Sequence, residues 1–214
     1  MNYRTETFDI EEIVANALKE DIGSKDITTE NFISAVKSAK ANIIAEQDCI
    51  ICGVSVAAQV FKSINPKIKF KAFFSDGEKV KKGKVVAQIY GHAADILTGE
   101  RVALNFLSFL SAISTKTRSF AEAVKPYKAK IIDTRKTIPG LRLLQKYAVR
   151  LGGGFNHRYT LDEMILVKDN HLFIMGGIDN LEALPQNYKT EIEVKNLKEF
   201  VKALELNPDI IMLD

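Results

Sequence analysis

The 214-residue sequence lacks any apolar run of the roughly 18 residues that a membrane-spanning helix needs. Its first residues, Met1-Asn2-Tyr3-Arg4-Thr5-Glu6, lack the apolar core of a signal peptide. A cytoplasmic protein with no membrane partner is therefore expected. Strong charge is missing too: the net value of +3 is too small to imply nucleic acid by itself. Cysteine is scarce, with only Cys49 and Cys52. Their C-x-x-C spacing lies in a strand-like apolar run, Asp48–Gly53, which suits neither a redox helix N-terminus nor a four-ligand zinc site. Residues three apart on a strand point to opposite faces, so both thiols are read as small buried hydrophobes. What remains, 46% hydrophobic and 27% charged residues, is the make-up of a globular protein large enough for one or two domains.

The local patterns change character along the chain. Asp9-x-x-Glu12 reads as a capping box before an amphipathic helix lined by Ile13, Val14, Ala17 and Leu18 and stopped by Gly23. Strands are expected at Ser38–Glu46, Cys49–Cys52, Lys69–Phe74, Lys79–Lys82 and Val85–Tyr90, and a helix at Val54–Ile64. A long helix runs from about Ala93 to Val124, with Val102, Phe106, Leu110 and Ile113 as its buried stripe. Beyond Tyr127 strands and helices alternate: strands near 130–134, 164–168, 190–194 and 209–214, and helices at 141–150 and 196–205. Such βα alternation means a parallel sheet or barrel. The fold class expected is α/β: an α+β sandwich over 1–100, then an incomplete parallel α/β barrel over 101–214. The join is placed near residues 95–125.

Four apolar runs in the second half carry charge at or near their C-terminal ends. They are Ala129–Asp133 before Thr134-Arg135-Lys136, Met164–Val167 before Lys168, Glu191–Val194, and Asp209–Leu213 before Asp214. Parallel barrels place their functional groups at strand C-termini, and charge there is costly to bury without a partner or ligand. Between Ala129 and His171 eight Lys/Arg (130, 135, 136, 142, 146, 150, 158, 168) face four acids (133, 162, 163, 169). That excess is larger than the whole chain's and suits a small polyanionic ligand; a solvated basic face is the alternative.

Several blocks, taken in order, resemble one family. They are Glu20-Asp-Ile-Gly…Asp26-Ile-Thr-Thr, Thr98-Gly-Glu-Arg-Val-Ala-Leu-Asn-Phe-Leu107, Asp133-Thr-Arg-Lys-Thr-Ile-Pro-Gly-Leu-Arg142, Lys146-Tyr-Ala-Val, Gly152-Gly-Gly-Phe-Asn-His-Arg158, Leu166-Val-Lys-Asp-Asn-His171, Glu191–Val194 and Ile211-Met-Leu-Asp214. The ordered set resembles quinolinate phosphoribosyltransferase. The resemblance implies that quinolinate and phosphoribosyl pyrophosphate (PRPP), with Mg2+, give nicotinate mononucleotide, pyrophosphate and CO2. Guanidinium forks bind carboxylates bidentately, so Arg135, His157 and Arg158 are the expected clamp for quinolinate's two carboxylates, with Lys136 beside them. Ion pairs of Arg135 and Arg158 with Asp133 or Asp162 are the structural alternative.

By family analogy Arg101 serves a neighbouring subunit's site, which makes a homodimer or higher homo-oligomer the expected assembly. Glu193 and Asp214 are the candidates for holding ribose hydroxyls or Mg2+ and for stabilising charge at the anomeric carbon, with Glu191 a second choice. Lys168 is placed to hold leaving-group or substrate oxygens. Lys136, Lys168, Glu193 and Asp214 form the expected catalytic set.

Weaker signals have plainer readings. Gly152-Gly153-Gly154 is read as a helix stop, Lys168–His171 as loop hydrogen bonding, and His92 as a loop residue. Asp76–Ala87 resembles half of a biotinyl or lipoyl carrier but shows no lysine-bearing hairpin tip, so turn chemistry explains it. The alternatives in function are a molybdenum-transport-associated paralogue, opposed by the full Arg135-Lys136 and Asn156-His157-Arg158 pattern, and an inactive fragment or binding module. The sequence stops at Leu213-Asp214, inside an expected strand. A fragment of a longer product, with most of the quinolinate pocket but little of the PRPP phosphate site, is expected.

Overall fold

The computed structural model describes residues 10–34 and 36–214, so Asp9 and its capping box lie outside the described residues. Helix α1 (Ile10–Ile22) buries Val14 and Leu18, one turn apart, with Ile13 and Ala17 packed beside them. Glu11 and Glu12 in its first turn and Lys19 in its last complement the helix dipole. Gly23, at φ +61°, takes the left-handed conformation that ends it. A short helix, α2 (Ile27–Phe32), follows; the Asp26 carboxylate caps it by accepting the Thr29 N–H at 2.9 Å. Those Thr29 hydrogen bonds hold the Asp26 carboxyl below its usual range.

Strand β1 (Ser38–Ile44) pairs antiparallel with β5 (Val85–His92), which also pairs with β3 (Lys69–Ala72). Strands β2 (Cys49–Ile50) and β4 (Lys79–Val80) form a separate two-stranded ladder. Helix α3 (Val54–Ile64) and the 32-residue α4 (Ala93–Val124) carry the core between them. Val56, Val60 and Phe61 of α3 are at most 2% exposed, as is Leu110 of α4. By length and composition α4 is apolar enough to cross a bilayer. Its buried face packs in the hydrophobic core, however, as Val102, Phe106 and Leu110 predict. His92 ends β5 and directly precedes α4, so it is not a loop residue.

Helix α5 (Arg142–Leu151) packs on α4 and ends at the three glycines. A Cβ at Gly152 would lie 2.5 Å from Thr117 Cβ and 2.6 Å from the Ser114 carbonyl oxygen, both on α4. The helix stop is thus also a close crossing. Gly152→Ala is expected to cost about 1–3 kcal/mol through overpacking, read as a lower thermal midpoint. A midpoint equal to the parent's would contradict the crossing.

In the C-terminal part β6 (Ile165–Val167), β7 (Thr190–Val194) and β8 (Ile210–Leu213) form a parallel sheet in that order. One face carries Val167, Ile192 and Val194, packed with Leu172 of α6 (Asp169–Met175), Ile178 of a 3-10 turn (Ile178–Asn180) and Ala203 of α7 (Leu197–Leu206). By the two-residue alternation of a strand, Leu166, Glu191, Glu193 and Met212 belong to the other face.

Two further segments depart from the expected pattern. The run at 130–134 is not a strand: it makes one parallel bridge, Ile132 to Phe155. Ile132 and Phe155 are 55% and 46% exposed, so no buried layer rewards a longer ladder. The Lys168–His171 segment is not a loop either. It opens α6, whose first turn is closed by the Lys168 N–H donating to His171 Nδ1 at 2.9 Å.

The chain divides into two compact units, residues 1–157 and 158–214. Helices α4 and α5 fall with the N-terminal core because they pack on it.

Candidate active site

In the first unit the site is built around Asp133. Its Oδ1 accepts from Lys146 Nζ at 2.5 Å and from the His157 backbone N–H at 2.9 Å; its Oδ2 accepts from Asn156 Nδ2 at 2.5 Å. Lys146 Nζ also donates to the His157 carbonyl at 3.1 Å, and Asn156 Nδ2 to the Lys146 carbonyl at 2.9 Å. The Asp133 N–H donates to the Phe155 carbonyl at 3.0 Å. The Lys146 side chain is wholly buried and that of Asp133 is 9% exposed. Segment 131–133 is thus fastened to segment 155–157 by main chain and by a buried ion pair together.

Arg135, two residues past Asp133, is differently placed. Its Nε is buried with no hydrogen-bond partner, and among the described residues its guanidinium makes no ion pair. Asp133 is occupied by other donors, so the Arg135–Asp133 pair posed as a structural alternative does not form. A half-buried guanidinium with an unsatisfied donor retains hydrogen-bonding capacity for an acceptor such as a carboxylate. Lys136 is exposed beside it, its N–H held by Thr134 Oγ1 at 3.0 Å. Arg101 is exposed on α4.

In the second unit Arg158 donates from NH1 to the Met164 carbonyl at 2.7 Å. Lys168, just past β6, reaches Glu193 of β7 at 2.7 Å. Lys168 is 39% exposed and Glu193 13%, so this cation–carboxylate pair sits at the C-terminal ends of two parallel strands. Glu191, two residues back on the same face, is 3% exposed. Asp214 is exposed, and its N–H donates to the Val194 carbonyl at 3.1 Å, continuing the β7–β8 ladder. A groove between residues 182–190 and 205–209 opens at the N-terminal end of β7, away from Glu193. Among the described residues no three His, Cys, Asp or Glu side chains gather.

Sequence reasoning quoted Asp133, Lys146 and Asn156 within motifs but gave them no role. No periodicity signal marks the lysine: Lys146 lies two residues from buried Leu144 and two from buried Ala148, on the opposite side of α5, where a surface lysine is expected.

Cys52 is fully buried, as expected, whereas Cys49 is only half-buried. Both are free. Burial pushes the Cys52 thiol up to about 12, with Asp76's charge adding and Ser114's hydrogen bond opposing; burial raises Cys49 as well. Since the thiolate is the nucleophile, iodoacetamide at about pH 8 is expected to leave Cys52 unmodified until the chain is unfolded. Rapid labelling of native protein, read by mass spectrometry, would contradict this.

Residues 113–214 match the family model described as the C-terminal domain of quinolinate phosphoribosyl transferase, and residues 26–111 match its N-terminal domain. The two matches meet inside α4. A probable carboxylating nicotinate-nucleotide pyrophosphorylase of Synechocystis sp. is 40% identical over 92% of this chain and 68% of its own length. The chloroplastic enzyme of that name from Oryza sativa subsp. japonica is 40% identical over 97% of this chain. This chain spans only 60% of that relative's length. Among solved structures, NadC of Streptococcus pyogenes superposes with a TM-score of 0.88 at 37% identity, covering 97% of this chain and 75% of the other. The nicotinate-nucleotide pyrophosphorylase of Francisella tularensis gives 0.88 at 38%, covering 96% and 74%. With both domain models matched in order and the fold shared across the described elements, this chain belongs to the quinolinate phosphoribosyltransferase family.

Proposed function

We propose that this chain binds quinolinate and serves phosphoribosyl transfer from PRPP, with decarboxylation, to give nicotinate mononucleotide, pyrophosphate and CO2. The observation that carries the reading is the Arg135 guanidinium, half-buried with an orphaned Nε and no ion pair among the described residues. Its natural complement is a carboxylate. Relatives 40% and 38% identical bear the names nicotinate-nucleotide pyrophosphorylase and quinolinate phosphoribosyltransferase.

In this reading Arg135, Lys136, His157 and the following Arg158 bind the two carboxylates of quinolinate. As pyrophosphate leaves, positive charge grows at the anomeric carbon of the ribose, and the carboxylates of Glu193 and Asp214 stabilise it. Lys168, held by Glu193 at 2.7 Å, neutralises that carboxylate before substrate enters and turns to substrate oxygens afterwards. The ring nitrogen takes the ribosyl group and becomes cationic. The bond to the carboxylate beside that nitrogen then breaks: CO2 leaves, the electron pair stays on the ring carbon next to the cationic nitrogen, and that carbon takes a proton from solvent to give nicotinate mononucleotide. Glu193 and Asp214 would hold Mg2+ through PRPP or water, and the ion would neutralise charge on the leaving pyrophosphate. Arg101 completes the site of a second copy in a homodimer or larger assembly. The inherited domains are 1–100 and 101–214, and the compartment is the cytoplasm, although some plant relatives are chloroplastic or mitochondrial.

Titration calorimetry of quinolinate into the chain, with nicotinate as the control, tests the reading. Quinolinate is expected to bind, and nicotinate about tenfold or more weaker, because one charge-assisted carboxylate contact is lost. A chain that takes up no quinolinate, or does not distinguish the two acids, would overturn the reading.

A further inference from the structure

We propose that Asp133, Lys146 and Asn156 are positioning residues for the quinolinate clamp, holding the segment of Arg135 and Lys136 in register with that of His157. The inference rests on the binding function proposed above and concerns residues that touch no substrate.

Segments 131–133 and 155–157 share one bridge, Ile132 to Phe155, flanked by exposed side chains. So little pairing cannot by itself fix the residues that follow. The clamp candidates nevertheless sit immediately beyond it: Arg135 two residues past Asp133, His157 next to Asn156. Side chains complete the fastening. Asp133 receives three donors from two elements: Lys146 of α5, and Asn156 and the His157 N–H of the neighbouring segment. Lys146 also binds the His157 carbonyl, so both polar groups of the His157 main chain end on this ion pair. A wholly buried ammonium is costly unless paired and hydrogen-bonded, and a fully satisfied network specifies one geometry. Such precision matters because bidentate carboxylate recognition tolerates little misplacement.

Helix α5 is itself tied down by the next residue. Tyr147 Oη donates to Asp76 Oδ2 at 3.1 Å, while Asp76 Oδ1 accepts the Val54 N–H at the start of α3 at 2.9 Å. Consecutive residues of one helix thus face the clamp segment and the N-terminal core.

The test separates positioning from stability. Lys146→Met leaves a carboxylate without its cation, whereas the double variant Asp133→Leu/Lys146→Met replaces the pair by apolar groups of similar volume, an exchange that often restores stability. The double variant is expected to recover most of the melting temperature lost by Lys146→Met. It is still expected to bind quinolinate about tenfold or more weakly, since a buried donor has lost its acceptor. Asn156→Ala, a milder change, is expected to weaken binding about threefold to tenfold in a chain that still melts cooperatively.

Amide hydrogen exchange at His157 reads the positioning with no ligand present. It is expected to accelerate about tenfold or more in the double variant relative to the parent. Affinity that returns in step with the melting temperature, or His157 exchange unchanged in the double variant, overturns the inference. A parent chain that ignores quinolinate defeats the functional reading instead, and the exchange result then stands apart from it.

Discussion

Lys146→Met is expected to lower the thermal midpoint by about 10 °C. Lys146 is 0% exposed and lies 2.5 Å from the Asp133 carboxylate. Removing one member of a buried pair strands the other charge, which costs about 3–5 kcal/mol. In a chain of this size each kcal/mol moves the midpoint by about 2–4 °C. A lysine on an exposed helix face would instead change stability by about 0.5 kcal/mol or less. Differential scanning calorimetry on the parent and variant distinguishes the two. A midpoint within about 2 °C of the parent's would mean that the pair is solvated in solution and that the network is not a fastening.

Arg135→Ala is expected to do the opposite: a large loss of binding at almost no cost in stability. The guanidinium makes no ion pair among the described residues, and its buried Nε has no hydrogen-bond partner, so truncation breaks little in the free chain. It relieves an unsatisfied donor. In the complex it removes two charge-assisted hydrogen bonds to a carboxylate, each about 1.5–3 kcal/mol, so quinolinate affinity should fall about a hundredfold or more. Calorimetric titration beside a melting curve reads both quantities. A destabilised Arg135→Ala that still binds quinolinate would assign the arginine to folding. The conservative Arg135→Lys is expected to recover only part of the affinity, because an ammonium lacks the planar fork.

The contrast shows what the sequence can reveal. Helices α3 and α4 occupy the ranges read from periodicity, because their apolar stripes are long and their neighbours reinforce them. Strand β7 likewise keeps its expected bounds, with Ile192 and Val194 fully buried on one face. Helix α2 has only six residues, too few for a period to register, and only the Asp26 cap marks it. Ala129–Asp133 looked like its three partner runs, yet apolar composition alone does not supply a second strand or a covering layer. At the candidate site, Arg135 and His157 are marked by ordered motifs whose residue types suit carboxylates. Asp133 and Lys146 were opaque for a physical reason. Thirteen positions apart, they look like two surface charges until α5 turns one toward the other.

Helix α4 couples two parts of the first unit. Its first half buries Val102 and Phe106 in the N-terminal core, and Ser111 Oγ accepts the Cys52 N–H at 2.9 Å. Its second half grips the end of α5: Ser114 Oγ donates to the Ala148 carbonyl at 2.9 Å, and Arg118 donates to the carbonyls of Gly152 and Leu151 at 3.0 and 3.1 Å. One unbroken helix therefore sets the rotational phase between the sheet of the first hundred residues and the helix that bears Lys146. Each residue added to or removed from an α-helix turns everything beyond it by about 100°. A single insertion near residue 112 would swing Arg118 off the end of α5 while leaving both halves helical. Length in this segment is consequently as constrained as identity, and α4 acts as a keyed shaft that admits substitutions far more readily than changes of count.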